Sequence, residues 1–336
     1  VVAIVKSIIN TNSWLVPYLT PSAPYLELQP FYFWLFALII KVFHFSDIAN
    51  AVRLINALII FGVIALMGQI GSGLSAFRNG RSVIMILISC VGFINNAYQL
   101  SPNIVVLFGF SLYFYALQKS AQMPGISAWL LSIGLIFISL NFTAQFIVIA
   151  LLILFILPLL GKEWRTPEYL ICAGGGLALF TLLFGSYVWQ LNSVDHAFYL
   201  EWEGKYLSFI SFNLADYGQS ALFLVETLAW YLIPAWVLVV WTLYKRRSRI
   251  FQDKILTLSL LSSGLLLLFA VLSGQHDESV IFPIIIPLVL LASVEIDSIK
   301  ITIVSLLNWF CIFTFGLAGA FIATLYIALN FGRPHE

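Results

Sequence analysis

From residue 49 onward, long apolar runs alternate with short polar connectors; before that point the pattern is different. Taking runs of roughly 17–25 residues as bilayer spans predicts about ten transmembrane helices, at 49–71, 82–97, 102–118, 125–140, 144–160, 167–190, 219–244, 254–273, 279–296 and 301–328. Residues 1–48 carry shorter helical patterns broken by prolines and aromatics. The opening "VVAIVKSIINTNSWLVP" sets Ile4, Ile8 and Ile9 on one helical face with Lys6, Ser7 and Asn10 elsewhere, an amphipathic arrangement suited to lying in the interface. A second such segment ends in Lys41 and His44. Neither is long and uncharged enough to span, so 5–12 and 31–44 are expected as interfacial helices. The expected fold is an all-α polytopic membrane protein, with an outer-face loop at 1–48 and a transmembrane helical domain at 49–336 that carries a second outer loop at about 191–218.

Composition agrees with that pattern. The chain is 61% hydrophobic and 9% charged, against about 45–50% and about 25% in soluble domains. The net charge of +1 is segregated by side rather than gathered in a basic patch, which excludes nucleic-acid binding. Cys90, Cys172 and Cys311 lie in apolar runs with no CxxC or histidine spacing, so neither a disulfide framework nor a zinc site is indicated.

The charges orient the spans. With residues 1–48 outside, the inner side receives Arg78, Arg81, Lys119, Lys162, Arg165, Lys245, Arg246, Arg247, Arg249, Lys254 and Lys300, while only Lys6, Lys41, Arg53, Lys205 and Arg333 stay outside. This is the asymmetry the positive-inside rule requires. Most carboxylates and all four histidines, His44, His196, His276 and His335, fall on the outer side, concentrated in 1–48, in 191–218 and in the "GQHDE" turn at 274–278. Chemistry is therefore expected on the outer face.

The stretch "SWLVPYLTPSAPYLELQPFYFWLFALIIKVFHFSDIANAVRLINAL" resembles the first outer loop of the GT-C glycosyltransferases of the protein O-mannosyltransferase and lipid A aminoarabinose transferase superfamily. The resemblance rests on Trp14, Pro17, Pro24, Tyr25, Glu27, Pro30, Trp34, Ser46, Arg53 and Leu54, in order over about fifty residues. More loosely, "SPNIVVLFGFSLYFYALQKS" is similar to the span after the family's second outer loop, and "FPIIIPLVLLAS" to its late P-x-x-x-P span. The resemblance implies an inverting transferase that moves a sugar from a polyprenyl-phosphate donor to a lipid, glycan or protein acceptor at the outer face, in a bacterial inner membrane. Its main catalytic carboxylate is implied a few positions before Val1, so the chain is expected to be N-terminally truncated. Where the family has a lysine that stabilises the departing phosphate, this chain has Leu28 in "LQP".

Within the resemblance Glu27 is the principal candidate for catalysis. Glu27 with His196 is implied as a pair for a divalent metal ion. Arg53, at the mouth of a span, is placed to bond the lipid phosphate in place of the missing lysine. His276 and Tyr25 complete the donor-binding set. Asn103, Asn95 and Asn96 stand near the second outer loop, where relatives often carry an acid, and an amide cannot act as a base. Two other readings stay open. One is a lipid-linked glycan transporter or flippase, whose mark would be paired broken helices, with Glu226 and Pro234 in one span as the place resembling it. The other is a degenerate, non-catalytic relative.

Overall fold

The structure is a computed structural model. It describes residues 1–11, 14–20, 23–25, 30–45, 47–74, 77–140, 143–208, 214–247 and 253–298, and scattered positions between 305 and 327. The chain divides into two compact units, Val1–Val294 and Glu295–Glu336.

The first unit opens with α1 (Val2–Thr11), a small antiparallel hairpin of β1 (Tyr18–Thr20) and β2 (Ala23–Pro24), and α2 (Pro30–Phe43). Both predicted interfacial segments are thus helices, and the hairpin is an addition to the all-helical expectation. At 1.5 Å per residue α1 and α2 are about 15 and 21 Å long, less than the ~30 Å hydrocarbon core. They bury a shared stripe instead. Ile4, Val5 and Ile8 of α1 meet Tyr32, Phe33, Phe36, Ala37 and Ile40 of α2, and both pack on Ala51, Val52 and Ile55 of α3 (Ile48–Ser72). Asp47 starts α3, its Oδ1 accepting from the amides of Ala49 at 2.9 Å and Asn50 at 3.3 Å. Burying each large side chain of this stripe contributes on the order of 1.5–3 kcal/mol.

The rest of the unit is a helical bundle: α4 (Phe77–Ser89), α5 (Val91–Ala97), α6 (Pro102–Lys119), α7 (Pro124–Ser139), α8 (Gln145–Leu160), α9 (Pro167–Val194), α10 (His196–Leu207), α11 (Leu214–Tyr231), α12 (Ala235–Arg246), α13 (Lys254–Leu272), α14 (Glu278–Ile281) and α15 (Ile285–Val294). Helix α6, buried along almost its whole length, is the axis. It meets α7 backbone to backbone, because a Cβ on Gly109 would stand 2.8 Å from the Ile138 nitrogen and one on Gly134 would stand 3.0 Å from the Gly109 oxygen. Two buried tyrosines are satisfied by backbone carbonyls. The Tyr113 hydroxyl donates to the Ala150 carbonyl at 2.9 Å and that of Tyr169 to the Leu154 carbonyl at 2.7 Å, as an interior without water demands. Large apolar side chains such as Phe61, Leu182, Leu222 and Val225 face outward. A surface so rich in them suits lipid, and the chain is an integral membrane protein.

Among the described residues helix overlies each of the ten predicted spans, but not as ten straight rods. By length and composition Ile48–Ser72, Pro167–Val194 and Lys254–Leu272 are each sufficient to cross a bilayer among the described residues, or five segments if each bent pair counts as one. The segment expected at 82–97 bends by 72° between Ser89 and Val91, and the one at 219–244 bends by 99° between Tyr231 and Ala235. Pro234 explains the second bend, since its ring supplies no N–H and collides with the preceding turn. In the Glu295–Glu336 unit, Ser298 bonds the Glu295 carboxylate at 2.7 Å, and the described positions from 305 to 327 are helical with exposed apolar side chains such as Trp309 and Phe321.

Candidate functional site

The two ends of the first unit differ in chemistry. Helix α13 begins at Lys254, whose ammonium lies 5.6 Å from the Trp164 ring beside Arg246 and Asp253. It ends at Leu272, and just beyond it His276 packs edge-on against Phe223 of α11 at 5.7 Å. Helix α9 likewise leaves Trp164, which touches Tyr169, and runs 28 residues to Asp195 and His196. The 191–207 and 274–278 segments therefore share the end opposite Lys245–Arg247.

At that histidine-bearing end lies a buried amide network. Asn96 of α5 donates to the Tyr231 hydroxyl at 2.7 Å and to the Gly92 carbonyl at 3.0 Å, and its Oδ1 accepts from Asn103 of α6 at 3.2 Å. Asn56 of α3 donates to the Ala97 carbonyl at 3.3 Å. Asn95 extends the network to the Glu278 carboxylate at 3.2 Å. Tyr231 is fully buried, and it reaches Asn96 because α5 has glycine at 92, where a Cβ would stand 2.2 Å from the tyrosine ring. Among the described residues, Asn56 Oδ1 and Asn103 Oδ1 are buried acceptors with no donor. Such groups each cost about 1–3 kcal/mol.

An aromatic wall stands at the same end. Trp34 of α2 donates its indole N–H to the Trp14 carbonyl and meets Trp14 and Tyr187 edge-on at 6.4 and 6.0 Å. Tyr187 meets Trp202 of α10 at 6.4 Å, and Trp202 stacks on Tyr206 at 5.0 Å. Tyr206 ties α10 down, its hydroxyl donating to Ser139 and its carbonyl accepting from the Ala144 amide. Trp34 and Tyr187 line an apolar cleft of about 250 Å³ with Ile136, Leu183, Phe184, Ser186 and Gln190.

The predicted site residues are distributed as follows. Glu27 lies outside the described residues, as does Leu28. Tyr25 packs edge-on against Phe33 at 5.8 Å, and its amide bonds the Pro17 carbonyl at 2.8 Å. Arg53 is exposed on α3, on a different face from Val52 and Ile55. His196 is exposed, its Nδ1 2.6 Å from Asn192 Oδ1 and its ring stacked on Tyr199. His276 is exposed beside Phe223. His196 and His276 thus belong to separate clusters. In the "QHDE" turn Asp277 caps α14 through Ser279 at 3.2 Å, and Glu278 serves the amide network. Among the described residues no three His, Cys, Asp or Glu side chains converge as a metal site.

The sequence pattern points to Asn95, Asn96 and Asn103 but not to Tyr231, which bonds Asn96, or to Asn56, which bonds the neighbouring Ala97 carbonyl. Asn56, a lone amide on an otherwise apolar stretch of α3, was the available signal.

No protein-family model and no curated protein matches the chain. Solved structures do share its fold. ArnT from Cupriavidus metallidurans bound to undecaprenyl phosphate matches with a TM-score of 0.71 and 13% identity, over 89% of this chain and 55% of that one. The same protein in the apo state matches with a TM-score of 0.73 and 15% identity, over 97% of this chain and 59% of that one. The chain spans little more than half the length of these neighbours, and over the matched length it shares their fold.

Proposed function

We propose that this chain is the donor-binding part of an inverting glycosyltransferase that moves a sugar from a polyprenyl phosphate to an acceptor at the outer, periplasmic face of a bacterial inner membrane. The observation that carries the reading is the fold shared with an ArnT structure bound to undecaprenyl phosphate. The histidine-bearing end supports it with two features, an aromatic cleft and a buried amide network. The aromatic cleft suits an isoprenoid or sugar face, and the amide network suits hydroxyls.

In this reading a carboxylate base takes the proton of the acceptor hydroxyl, whose oxygen attacks the anomeric carbon while the lipid phosphate departs with the bonding electrons. Glu27 assists the site, with Arg53 and His276 toward the phosphate and Tyr25 beside the sugar. A divalent ion held by Glu27 and His196 would supply positive charge that Leu28 does not, and loss of activity with a chelator tests that ion.

A transporter is the second reading, favoured by a specific observation: two broken helix pairs, bent by 72° and 99°, meet at Gly92 and Tyr231. One assay separates the two. Full-length protein in liposomes containing a labelled polyprenyl-phosphate sugar is expected to release free polyprenyl phosphate when acceptor is added. Movement of intact labelled glycolipid between leaflets, with no cleavage, would contradict the transferase and support the transporter.

A further inference from the structure

A cavity also lies at the basic end. It is a cleft of about 460 Å³ lined by Gly73, Gln118, Glu163, Trp164, Arg246 and the start of α13, within the ~300–1,000 Å³ range of small-molecule sites. We propose that it holds the headgroup of a phospholipid carrying both a phosphate and a primary ammonium, a phosphoethanolamine lipid of the inner leaflet. This inference stands independently of the transferase reading.

Two sets of groups in the cleft ask for opposite charges. On the anion side is the Lys254 ammonium, which has an aromatic face but no carboxylate partner among the described residues. Lys254 also occupies the first turn of α13, where backbone N–H groups and the helix dipole favour an anion. Asp253, the residue at the cap position, makes no side-chain capping bond there; its carboxylate accepts from Arg246 at 2.7 Å instead. A phosphate placed beside Lys254 therefore meets an ammonium and uncapped amides together. On the cation side are the exposed Glu163 carboxylate and Gln118 Oε1, a buried acceptor without a donor among the described residues, since the amide nitrogen of Gln118 is spent on the Ile70 carbonyl at 2.9 Å. The charges in the cleft balance, which suits a zwitterion better than a doubly anionic ligand.

A lipid is favoured over a soluble phosphoethanolamine because α13 lines a second groove directly after the first. This one is apolar, about 280 Å³, and lined by Leu160, Thr257, Leu260, Leu261, Gly264 and Leu268. From 257 to 268 the helix rises about 17 Å, room for much of an acyl chain running away from a headgroup seated at Lys254. Trp164 and the surrounding basic residues mark this end as headgroup level.

The test is native mass spectrometry of the full-length protein with phosphatidylethanolamine, phosphatidylcholine and phosphatidylglycerol of identical chains, and with soluble phosphoethanolamine as competitor. Phosphatidylethanolamine is expected to bind about tenfold more tightly than the other two, the worth of one charge-assisted contact. Lys254→Gln and Glu163→Gln should each remove that preference. Gly264→Leu, which fills the groove where a Cβ meets nothing within 4 Å, should weaken all three lipids while leaving unfolding in lipid-free detergent unchanged. Equal binding of the three lipids by the wild-type protein, or an unaltered preference in both charge variants, would overturn the headgroup assignment. Displacement of the lipid by soluble phosphoethanolamine at equal concentration, or no effect of Gly264→Leu, would overturn the lipid. The wild-type lipid comparison decides the matter even where a charge variant fails to fold.

Discussion

The two ends of the bundle handle polarity in opposite ways. At the histidine-bearing end the interior polar groups are neutral: Asn56, Asn96, Asn103 and Tyr231 are buried and bonded largely to one another and to backbone. At the basic end the charges stay at the rim, with Arg246 and Asp253 paired in the open and Lys254 against an indole face. Neutral amides can be sunk between helices at the cost of finding partners, whereas a buried charge costs several kcal/mol even when paired. The amide end therefore carries its polarity inside the protein, and the basic end carries its charge near the surface.

The largest expected effect belongs to the first-loop carboxylate. Glu27→Gln in the full-length protein should cut sugar transfer about a hundredfold or more, the usual worth of a positioned acid or base group, with expression unchanged. Full activity in a turnover assay would remove Glu27 from the chemistry. Next comes Asn96→Ala, which strips partners from both Tyr231 and Asn103. It should lower stability by about 2–3 kcal/mol, read as a drop in the unfolding midpoint in detergent; an unchanged midpoint would mean that the network is not a structural unit.

A smaller change is expected from Trp34→Phe. The ring that meets Tyr187 remains, but the indole bond to the Trp14 carbonyl is lost, a cost of about 1 kcal/mol. A loss several times larger would show that the indole does more than tie α2 to the first loop. Least sensitive should be Lys205→Ala. Its partner Glu201 lies 3.8 Å away on the same exposed helix face, and such pairs contribute about 0.3–0.5 kcal/mol. A measurable loss of transfer there would move the site outward onto α10.

Sequence pattern made the helices legible because bilayer length and apolarity are local properties. It identified α1 and α2 as short amphipathic pieces within a few residues of their observed bounds, Val2–Thr11 and Pro30–Phe43. It pointed to one of the two bends, in the span of Glu226 and Pro234, and missed the other. Apolar runs carry no direction, and although Pro234 is a visible breaker, nothing so plain stands at Cys90, where the other pair turns. The amide network was half legible. Asn95, Asn96 and Asn103 stood out near an outer loop, but their bonding to Tyr231 and Glu278 joins residues more than a hundred positions apart. The grouping expected around Glu27, Arg53, His196 and His276 depended on tertiary contacts. Of its described members, His196 turned to Asn192 and Tyr199, and His276 to Phe223.

The account stands most directly on which end takes the lipid-linked donor. A polyprenyl phosphate bearing a photoreactive group on its first isoprene units, mixed with the full-length protein and irradiated, reports this by peptide mapping. The expected labels are on α2 and α9 around Trp34, Leu183 and Tyr187, the residues of the aromatic cleft. Labelling confined to Trp164 and the start of α13, at the basic end, would contradict the account.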